Sequence, residues 1–284
     1  MTVDVFTDVR FGGNPLAVFP DARGLSDGEM LSLAAEFNLS ETTFVLPPSD
    51  PANTARVRIF NRKAEMPFAG HPNVGTGWVL AQQGRAKDGK LRFEEIAGLV
   101  EVQVAPEAVT IAAPQPLSLG KEMAAELAAA CAGLAAADVV TRNHHPVAAS
   151  VGNPFLLAEV TGEALSRATP DLGQFRKAVQ SFGDMGGGRL SLYLYAHDGG
   201  RLRARMFSPL SGTVEDPATG SAATPLAALL LSLNQDRERR YEILQGIEMG
   251  RPSRLLCTAR RGADGIRATV GGNCVPVLTG EVSL

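Results

Sequence analysis

The sequence is poor in the features that mark several specialised protein classes. Only three cysteines occur in 284 residues, Cys131, Cys257 and Cys274, and their scattered spacing does not indicate a disulfide framework. The longest apolar run, near 222–233, is too short to span a bilayer. The apolar runs therefore predict no membrane partner, and the slightly negative net charge of −3 predicts no nucleic-acid partner. Together these absences point to an ordinary globular protein in a reducing compartment.

Motifs of the common cofactor-dependent classes are also missing. There is no His-x-x-Glu-His, no Cys-x-x-Cys and no array of carboxylates with metal-ligand spacing. The glycines 186–188 lack the Lys and Ser/Thr of a phosphate-binding loop, and no Gly-x-Ser-x-Gly turn occurs. We therefore expect no metal, nucleotide or flavin cofactor. No basic segment followed by an apolar one opens the sequence, so we expect no signal peptide and a cytoplasmic location.

The sequence does contain an internal repeat. Gly-Asn-Pro precedes an apolar run at 13–15 and again at 152–154. The segment 65–71 (EMPFAGH) resembles 215–221 (EDPATGS), with Glu, Pro and Gly coinciding at an offset of 150 residues. Because the two matches occur in the same order in each half, they predict two lobes built on one plan. The boundary is expected near the proline-rich segment 113–116.

Each half is predicted to contain a buried helix. The segments 72–83 and 218–235 carry no charged residue, and a helix without a charged face is normally buried on all sides. A capping box at 26–29 predicts a first outer helix, and the Ala-rich segment 121–137 predicts a second. Segments such as 56–60 alternate between polar and apolar residues, as strands do. The expected class is therefore α+β, with two strand-rich lobes around core helices.

The starts of the two core helices are candidate anion sites. A helix N-terminus presents unpaired N–H groups and a partial positive charge, which together bind carboxylates. His71 and Ser221 stand at these two starts and would add side-chain hydrogen bonds. The alternative is that both residues only cap their helices, as Ser often does.

Two carboxylates are candidates for proton transfer or substrate binding. Glu41 stands at the head of the apolar strand 42–46. In a pocket, burial raises the pKa of a glutamate toward neutrality and makes it a usable acid and base, whereas at an exposed strand end it has no such role. Asp216, five residues before Ser221, either accepts a hydrogen bond from a substrate hydroxyl or ammonium group or braces its loop.

At these residues the sequence resembles the PhzF-like phenazine biosynthesis family of the diaminopimelate epimerase-like superfamily. The matching segments are 3–19, 38–46, 65–77, 206–222 and 245–253. The resemblance implies two pseudo-symmetric lobes, each a β-barrel wrapped around a central helix, with the active site between them. It also implies no cofactor and a homodimer.

We expect these lobes to comprise residues 1–115 and 116–275. The C-terminal tail, about 276–284, is expected to pack back onto the first lobe.

The resemblance also implies a cofactor-independent isomerase that acts on a small, dihydro-hydroxyanthranilate-like carboxylic acid. The family's catalytic carboxylate falls on Glu41, and its substrate-binding residues fall on Gly70, His71, Asp216, Gly220 and Ser221. In the type member the glutamate takes a proton from the ring carbon that bears the hydroxyl and returns one at another ring position.

Two alternatives to this isomerase stay open. Racemases and epimerases of the superfamily use two cysteines, whose positions correspond to Gly70 and Gly220 here, so the missing thiols argue against stereoinversion. A non-catalytic metabolite-binding protein of the same fold would keep the same pocket residues without turnover.

Overall fold

The computed structural model describes residues 1–283 of the chain. It divides into two compact units, unit 1 with residues 1–112 and the described residues from 270 onward, and unit 2 with residues 113–269. Leu284, the last residue of the predicted tail, lies outside the described residues.

The chain up to residue 112 contains eight strands and two helices. In chain order these are β1 (Thr2–Val5), β2 (Asn14–Phe19), α1 (Asp27–Phe37), β3 (Thr42–Leu46), β4 (Ala55–Phe60), β5 (Glu65–Met66), α2 (Gly70–Gln82), β6 (Lys90–Glu95), β7 (Gly98–Val104) and β8 (Val109–Ala112).

The chain from residue 113 contains ten further strands and four further helices. In chain order these are β9 (Ser118–Glu122), α3 (Ala125–Cys131), β10 (Val147–Ser150), β11 (Pro154–Glu159), α4 (Gly162–Arg167), α5 (Leu172–Phe182), β12 (Leu192–Asp198), β13 (Arg201–Ser208), β14 (Thr213–Asp216), α6 (Gly220–Ser232), β15 (Glu238–Gln245), β16 (Ser253–Gly262), β17 (Gly265–Gly272) and β18 (Cys274–Leu278).

Unit 1 is a sheet curved around α2. Its strands pair in the order β18-β1-β2-β3-β4-β6-β7-β8, with β2–β3 and β4–β6 parallel and the other pairs antiparallel. Helix α2 packs against β1, β2 and β3 near one end of this order and against β7 and β8 at the other. The sheet therefore wraps the helix, and the helix is the core of the unit.

Unit 2 repeats this plan around α6. Strands β10-β11-β12-β13-β15-β16 pair in this order, with β11–β12 and β13–β15 parallel and the other pairs antiparallel. Helix α6 packs against β10, β11, β15 and β16. Since the parallel and antiparallel pairs fall in the same sequence as in unit 1, the prediction of two lobes of one plan, each with a central helix, is confirmed.

The two core helices have the same length and the same lack of charge. Each has 13 residues without a charged side chain, and nearly all of them are buried. Glycine allows α2 to lie close to the sheet: a Cβ on Gly75 would lie 2.5 Å from Cδ2 of Leu16, and one on Gly77 would lie 2.7 Å from Cγ1 of Val102. The glycines that make α2 a poor helix by propensity are therefore required by its packing.

The first predicted outer helix is confirmed, whereas the second differs from its prediction. The capping box of α1 is present, with Ser26 and Glu29 bonded reciprocally. The predicted Ala-rich helix over 121–137 is wrong at both ends, because its first residues belong to the edge strand β9, which pairs with β10, and Gly133 adopts a positive φ of 64° soon after α3 ends. Helices α4 and α5 were not predicted.

Candidate active site

Glu41 is fixed beside the N-terminal end of α2. Its Oε2 lies 3.3 Å from Nδ1 of His71. Two residues further along the chain, the Thr43 hydroxyl lies 2.8 Å from the Thr76 hydroxyl. The step from Glu41 to Thr43 covers two residues of extended chain, and the step from His71 to Thr76 covers five residues of helix. Both steps advance by about 7 Å, so β3 runs along α2 in the same direction. This register places Glu41 at the first turn of the helix.

The surroundings of Glu41 favour its protonated form more than water does. The side chain is 17% exposed. Burial raises the pKa of Glu41, while the Ser40 hydroxyl and the Arg62 guanidinium lower it by smaller amounts. A raised pKa moves the titration of a carboxyl toward neutrality, which is the direction that acid/base catalysis requires. This environment is not that of an exposed strand-end glutamate.

Neither His71 nor Ser221 caps its helix. The N-caps of α2 and α6 are Ala69 and Thr219, and neither makes a side-chain capping bond. His71 and Ser221 are instead the second residue of each helix, so the capping alternative is wrong. The first N–H groups of a helix have no intrahelical partner, and here no side chain of the N-cap takes them. Both starts therefore have the chemistry of an anion site.

Asp216 ends β14 and is held by a buried network. The Thr219 hydroxyl donates to Oδ2 of Asp216 at 2.5 Å. Gln245 Nε2 donates to the Asp216 carbonyl at 2.8 Å and to the Thr219 hydroxyl at 3.0 Å. Gln245 Oε1 accepts the Thr219 N–H at 3.2 Å and the Tyr193 hydroxyl at 3.0 Å. These bonds fix both the Asp216 carboxylate and the start of α6.

The sequence motifs assigned no role to Thr219, Tyr193 or Gln245. Gln245 opens the last segment that matches the family, and this was the only signal that could have found it.

The repeated glutamates of the two halves have a structural role. Arg58 donates to both carboxylate oxygens of Glu65, at 2.7 and 2.5 Å. Arg205 donates in the same way to Glu215, at 2.8 and 2.9 Å. Each arginine also lies over the phenylalanine ring two residues further along its strand. The repeat thus preserves a bidentate brace before each core helix.

The thiols do not take part in either helix start. Cys131, Cys257 and Cys274 are buried in α3, β16 and β18. Burial raises the pKa of Cys131 and of Cys257 to about 12 and raises the pKa of Cys274 as well. Such thiols stay protonated and are poor bases. Gly70 and Gly220 occupy the first positions of α2 and α6, so the residues present do not support two-thiol stereoinversion.

Residues 1–283 contain neither a metal-binding cluster nor a membrane-spanning helix. In this part of the chain, no three His, Cys, Asp or Glu side chains are grouped so that they could hold a metal ion. Over the same residues, none of the helices has both the length and the apolar character needed to cross a membrane.

Comparisons with known proteins agree with this architecture. The family model for PhzC-PhzF, described as phenazine biosynthesis-like protein, matches residues 3–280. The trans-2,3-dihydro-3-hydroxyanthranilate isomerase of Pseudomonas chlororaphis is 37% identical over 293 residues, which cover 99% of this chain and 98% of that protein. An uncharacterized isomerase of Mesorhizobium japonicum is 37% identical over 300 residues, which cover 98% of this chain and 96% of that protein.

A solved structure shows the same fold. The crystal structure of the Bacillus anthracis phenazine biosynthesis protein of the PhzF family superposes with a TM-score of 0.89 at 25% identity, covering 100% of this chain and 98% of that one. The predicted fold class and the predicted isomerase class are confirmed. The chain belongs to the PhzC-PhzF family of phenazine biosynthesis-like proteins.

Proposed function

We propose that this protein moves a proton on a small carboxylic acid of the dihydro-hydroxyanthranilate type, with Glu41 as the single acid/base group. The observation that carries the proposal is the position of Glu41, 3.3 Å from His71 at a helix start whose N-cap residue, Ala69, makes no side-chain capping bond. The raised pKa of Glu41 supports it. The activity of the Pseudomonas relative, an isomerase of trans-2,3-dihydro-3-hydroxyanthranilate, supports the substrate class.

The proposed reaction needs one carboxyl group. The ionised Glu41 takes a proton from the ring carbon that bears the hydroxyl, and the electron pair of the broken C–H bond shifts into the ring double bonds. The protonated Glu41 exchanges its proton with water and then returns one at another ring position, so no atom is gained or lost. One base that serves both steps is sufficient because the proton leaves and returns within reach of the same side chain.

The remaining predicted residues are proposed to bind the substrate. The backbone N–H groups of Gly70 and His71 at the start of α2 would donate to its carboxylate. Gly220 and Ser221 at the start of α6 would donate in the same manner. Asp216 would accept a hydrogen bond from a substrate hydroxyl or ammonium group, and the network around it keeps its carboxylate in place.

Turnover in heavy water tests the proposal. We expect trans-2,3-dihydro-3-hydroxyanthranilate to be converted to an isomer that carries solvent deuterium at a new ring position, followed by NMR. Deuterium at the original carbon with inverted configuration would show an epimerase instead. Binding of the acid without any exchange or conversion would show a metabolite-binding protein of this fold.

The proposal includes a homodimer in the cytoplasm that works without a cofactor. Light scattering on the purified protein measures its mass in solution, and a monomer would contradict the dimer. Elemental analysis and an absorbance spectrum test whether the purified protein holds a cofactor. A stoichiometric metal or a bound chromophore would contradict the proposal that it works without one.

A further inference from the structure

Glu95, the last residue of β6, belongs to the inner face of the sheet. Leu91 and Phe93 are fully buried, and side chains two residues apart on a strand share a face. Both carboxyl oxygens of Glu95 are buried as well. A carboxyl group therefore takes the place that an apolar side chain has at the two preceding inward positions.

The topology brings Glu95 to the start of α2. Strand β3 runs in the direction of α2, β4 is antiparallel to β3, and β6 is parallel to β4. The last residue of β6 is consequently at the same end as the first turn of the helix. The turn after β6 confirms this, because the Ala97 N–H donates to the Pro67 carbonyl at 3.1 Å.

Glu95 and Glu41 lie at different sides of that first turn. The Asn73 side chain is the polar neighbour of Glu95, whereas His71 is the neighbour of Glu41. Residues two apart on an α-helix are rotated by about 200° from each other. Glu95 therefore lies on a different side of the first turn from Glu41 and His71.

The polar atoms of Glu95 and Asn73 are buried but incompletely paired. Neither Glu95 oxygen takes part in a hydrogen bond of normal distance and angle, and Oδ1 of Asn73 has no partner either. The Asn73 amide nitrogen donates to the Ala69 carbonyl at 3.0 Å. Burial raises the pKa of Glu95 to about 8, and the approach of the Asn73 amide as a weak donor to the carboxylate lowers it by a smaller amount. A proton on Glu95 would provide the missing donor.

No other charged side chain lies on the inner face of the strands around Glu95. The strand pairing places the other charged residues of β4, β6 and β7 on the outer face of the sheet. They are Arg56, Arg58, Lys90, Arg92, Glu94 and Glu101. On α2 the only titratable residue is His71. The inner face thus supplies no cation to hold Glu95 in its ionised form.

The second unit shows what a residue at this position does. Gln245 is the last residue of β15, the strand that corresponds to β6, and it follows Glu95 at the repeat offset of 150 residues. Its amide is neutral and donates to the Asp216 carbonyl and to the Thr219 hydroxyl at the start of α6. A protonated carboxyl is the form of glutamate that most resembles this amide, with one donor and one acceptor.

We infer that Glu95 is a positioning residue of the α2 start: its carboxyl stays protonated and donates its O–H to Oδ1 of Asn73, which holds the first turn behind His71. The consequence for binding rests on the proposed function. An ionised Glu95 would place a negative charge at the helix N-terminus and compete there with the substrate carboxylate. The neutral form leaves the partial positive charge of the helix to the substrate.

Infrared spectroscopy tests the protonation without any substrate. Glu41→Gln serves as the background, so that the Glu41 carboxyl near the same helix start cannot contribute to the band. We expect a carboxylic-acid C=O band near neutral pH that fades as pH rises through about 8 and that is absent in Glu41→Gln/Glu95→Gln. Identical spectra of Glu41→Gln and Glu41→Gln/Glu95→Gln would show that Glu95 is ionised and would overturn the inference.

Ligand binding tests the positioning role. The probe is 3-hydroxyanthranilate, an aromatic analogue of the proposed substrate, and its affinity is measured by calorimetry across pH. We expect Glu95→Gln to bind as tightly as the wild type near neutral pH and more tightly above the pKa of Glu95. Glu95→Leu should bind about tenfold more weakly, since it leaves Oδ1 of Asn73 buried and unpaired.

The two tests separate this inference from the proposed function. Equal losses in Glu95→Gln and Glu95→Leu, or affinity curves of the wild type and Glu95→Gln that are parallel across pH, would contradict the positioning role. If Glu95→Leu does not fold, the comparison of Glu95→Gln with the wild type still decides. If the proposed substrate is not turned over but the infrared band and the binding pattern are found, the inference stands and the proposed reaction fails.

Discussion

The starts of the two core helices share a framework but carry different chemistry. In both units the helix has 13 residues, follows a bidentate Arg–Glu brace and lies within the same order of strands. Glu41 precedes β3 in unit 1, and the corresponding residue before β12 in unit 2 is Ser191, whose buried hydroxyl lies 2.8 Å from that of Ser208. Unit 2 instead carries Asp216, where unit 1 has Met66. The duplication has therefore kept the scaffold and changed the acid groups.

This difference bears on the kind of reaction. Stereoinversion by two bases needs an acid/base group from each half, at equivalent positions on both sides of the reacting carbon. Here only one half has a carboxyl group at the strand head, and the cysteine positions implied by the family resemblance carry Gly70 and Gly220. One carboxyl that moves a proton from one carbon to another fits this asymmetry.

Substitution of Glu41, the residue at the head of β3, gives the largest expected effect. Glu41→Gln keeps the shape of the side chain and removes its proton, so turnover should fall by about 100- to 10,000-fold, the range of general acid–base catalysis. Binding of 3-hydroxyanthranilate should stay within a fewfold of wild type. Steady-state kinetics and calorimetry provide the two measurements.

Ser191→Ala is the matched control for Glu41→Gln. It changes the equivalent position of unit 2 and should leave turnover close to that of the wild type. If both variants lost activity to the same degree, or if Glu41→Gln kept full turnover, the proposed asymmetry between the units would be wrong.

The residues at the ends of β6 and β15 give the next largest effect. A glutamate whose folded pKa is raised from 4.5 to about 8 binds more protons in the folded than in the unfolded state across that interval. The free energy of unfolding then decreases as pH rises, by at most about 5 kcal/mol in total, and Glu95→Gln should remove this slope. Below the unfolded pKa the contribution is fully present.

Gln245→Glu should introduce a pH dependence of the free energy of unfolding in unit 2. The protonated glutamate has one donor fewer than the amide, which costs about 1–3 kcal/mol, and ionisation removes the second donor as pH rises. Thermal unfolding of the wild type, Glu95→Gln and Gln245→Glu across pH checks both predictions. Stability curves of the three proteins that run parallel across pH would contradict the correspondence of the two positions.

The sequence was informative wherever the relevant pattern is local. The uncharged stretches that became α2 and α6 are continuous in the chain, and the repeated motif is a match between two short segments. Glu41 and His71 could be singled out from their motifs, but the 3.3 Å separation between them joins residues 30 positions apart. That separation depends on the register of β3 against α2, which no local pattern reveals.

Most of the remaining features could not be predicted because they arise from the folding of distant segments. The Gln245 network joins residues up to 52 positions apart in the chain. The N-cap signals of α4 and α5, Thr161 and Asp171, are local and could have been recognised, since their side chains accept the N–H groups of Ala164 and Gln174. The alternation that ends at Glu95 is also visible in the sequence, but its protonation follows only from burial.

Packing of the core helix against the sheet gives a smaller effect. Gly75→Ala would place a Cβ 2.5 Å from Cδ2 of Leu16 and 2.8 Å from Cγ2 of Val5, so we expect a loss of about 1–3 kcal/mol. Gly28→Ala in α1 is the control, since no atom lies within 4 Å of its Cβ. It should stabilise the protein by up to about 1 kcal/mol. Denaturation midpoints measure both, and equal shifts in the two variants would contradict the close packing of α2.

The smallest expected effect concerns the side chain that unit 2 has in place of His71. Ser221 is the second residue of α6, where its hydroxyl would add one hydrogen bond to those of the backbone N–H groups. Ser221→Ala should therefore weaken binding of 3-hydroxyanthranilate by about 1 kcal/mol, or about fivefold. His71→Ala should weaken it more, because it also removes the neighbour of the Glu41 carboxyl and opens a buried position to water. Ser232→Ala, at the far end of the same helix, should leave the affinity unchanged. Calorimetry on the three variants orders these effects, and if small acids bound Ser221→Ala and His71→Ala as tightly as the wild type, the helix starts would not be the acid-binding groups.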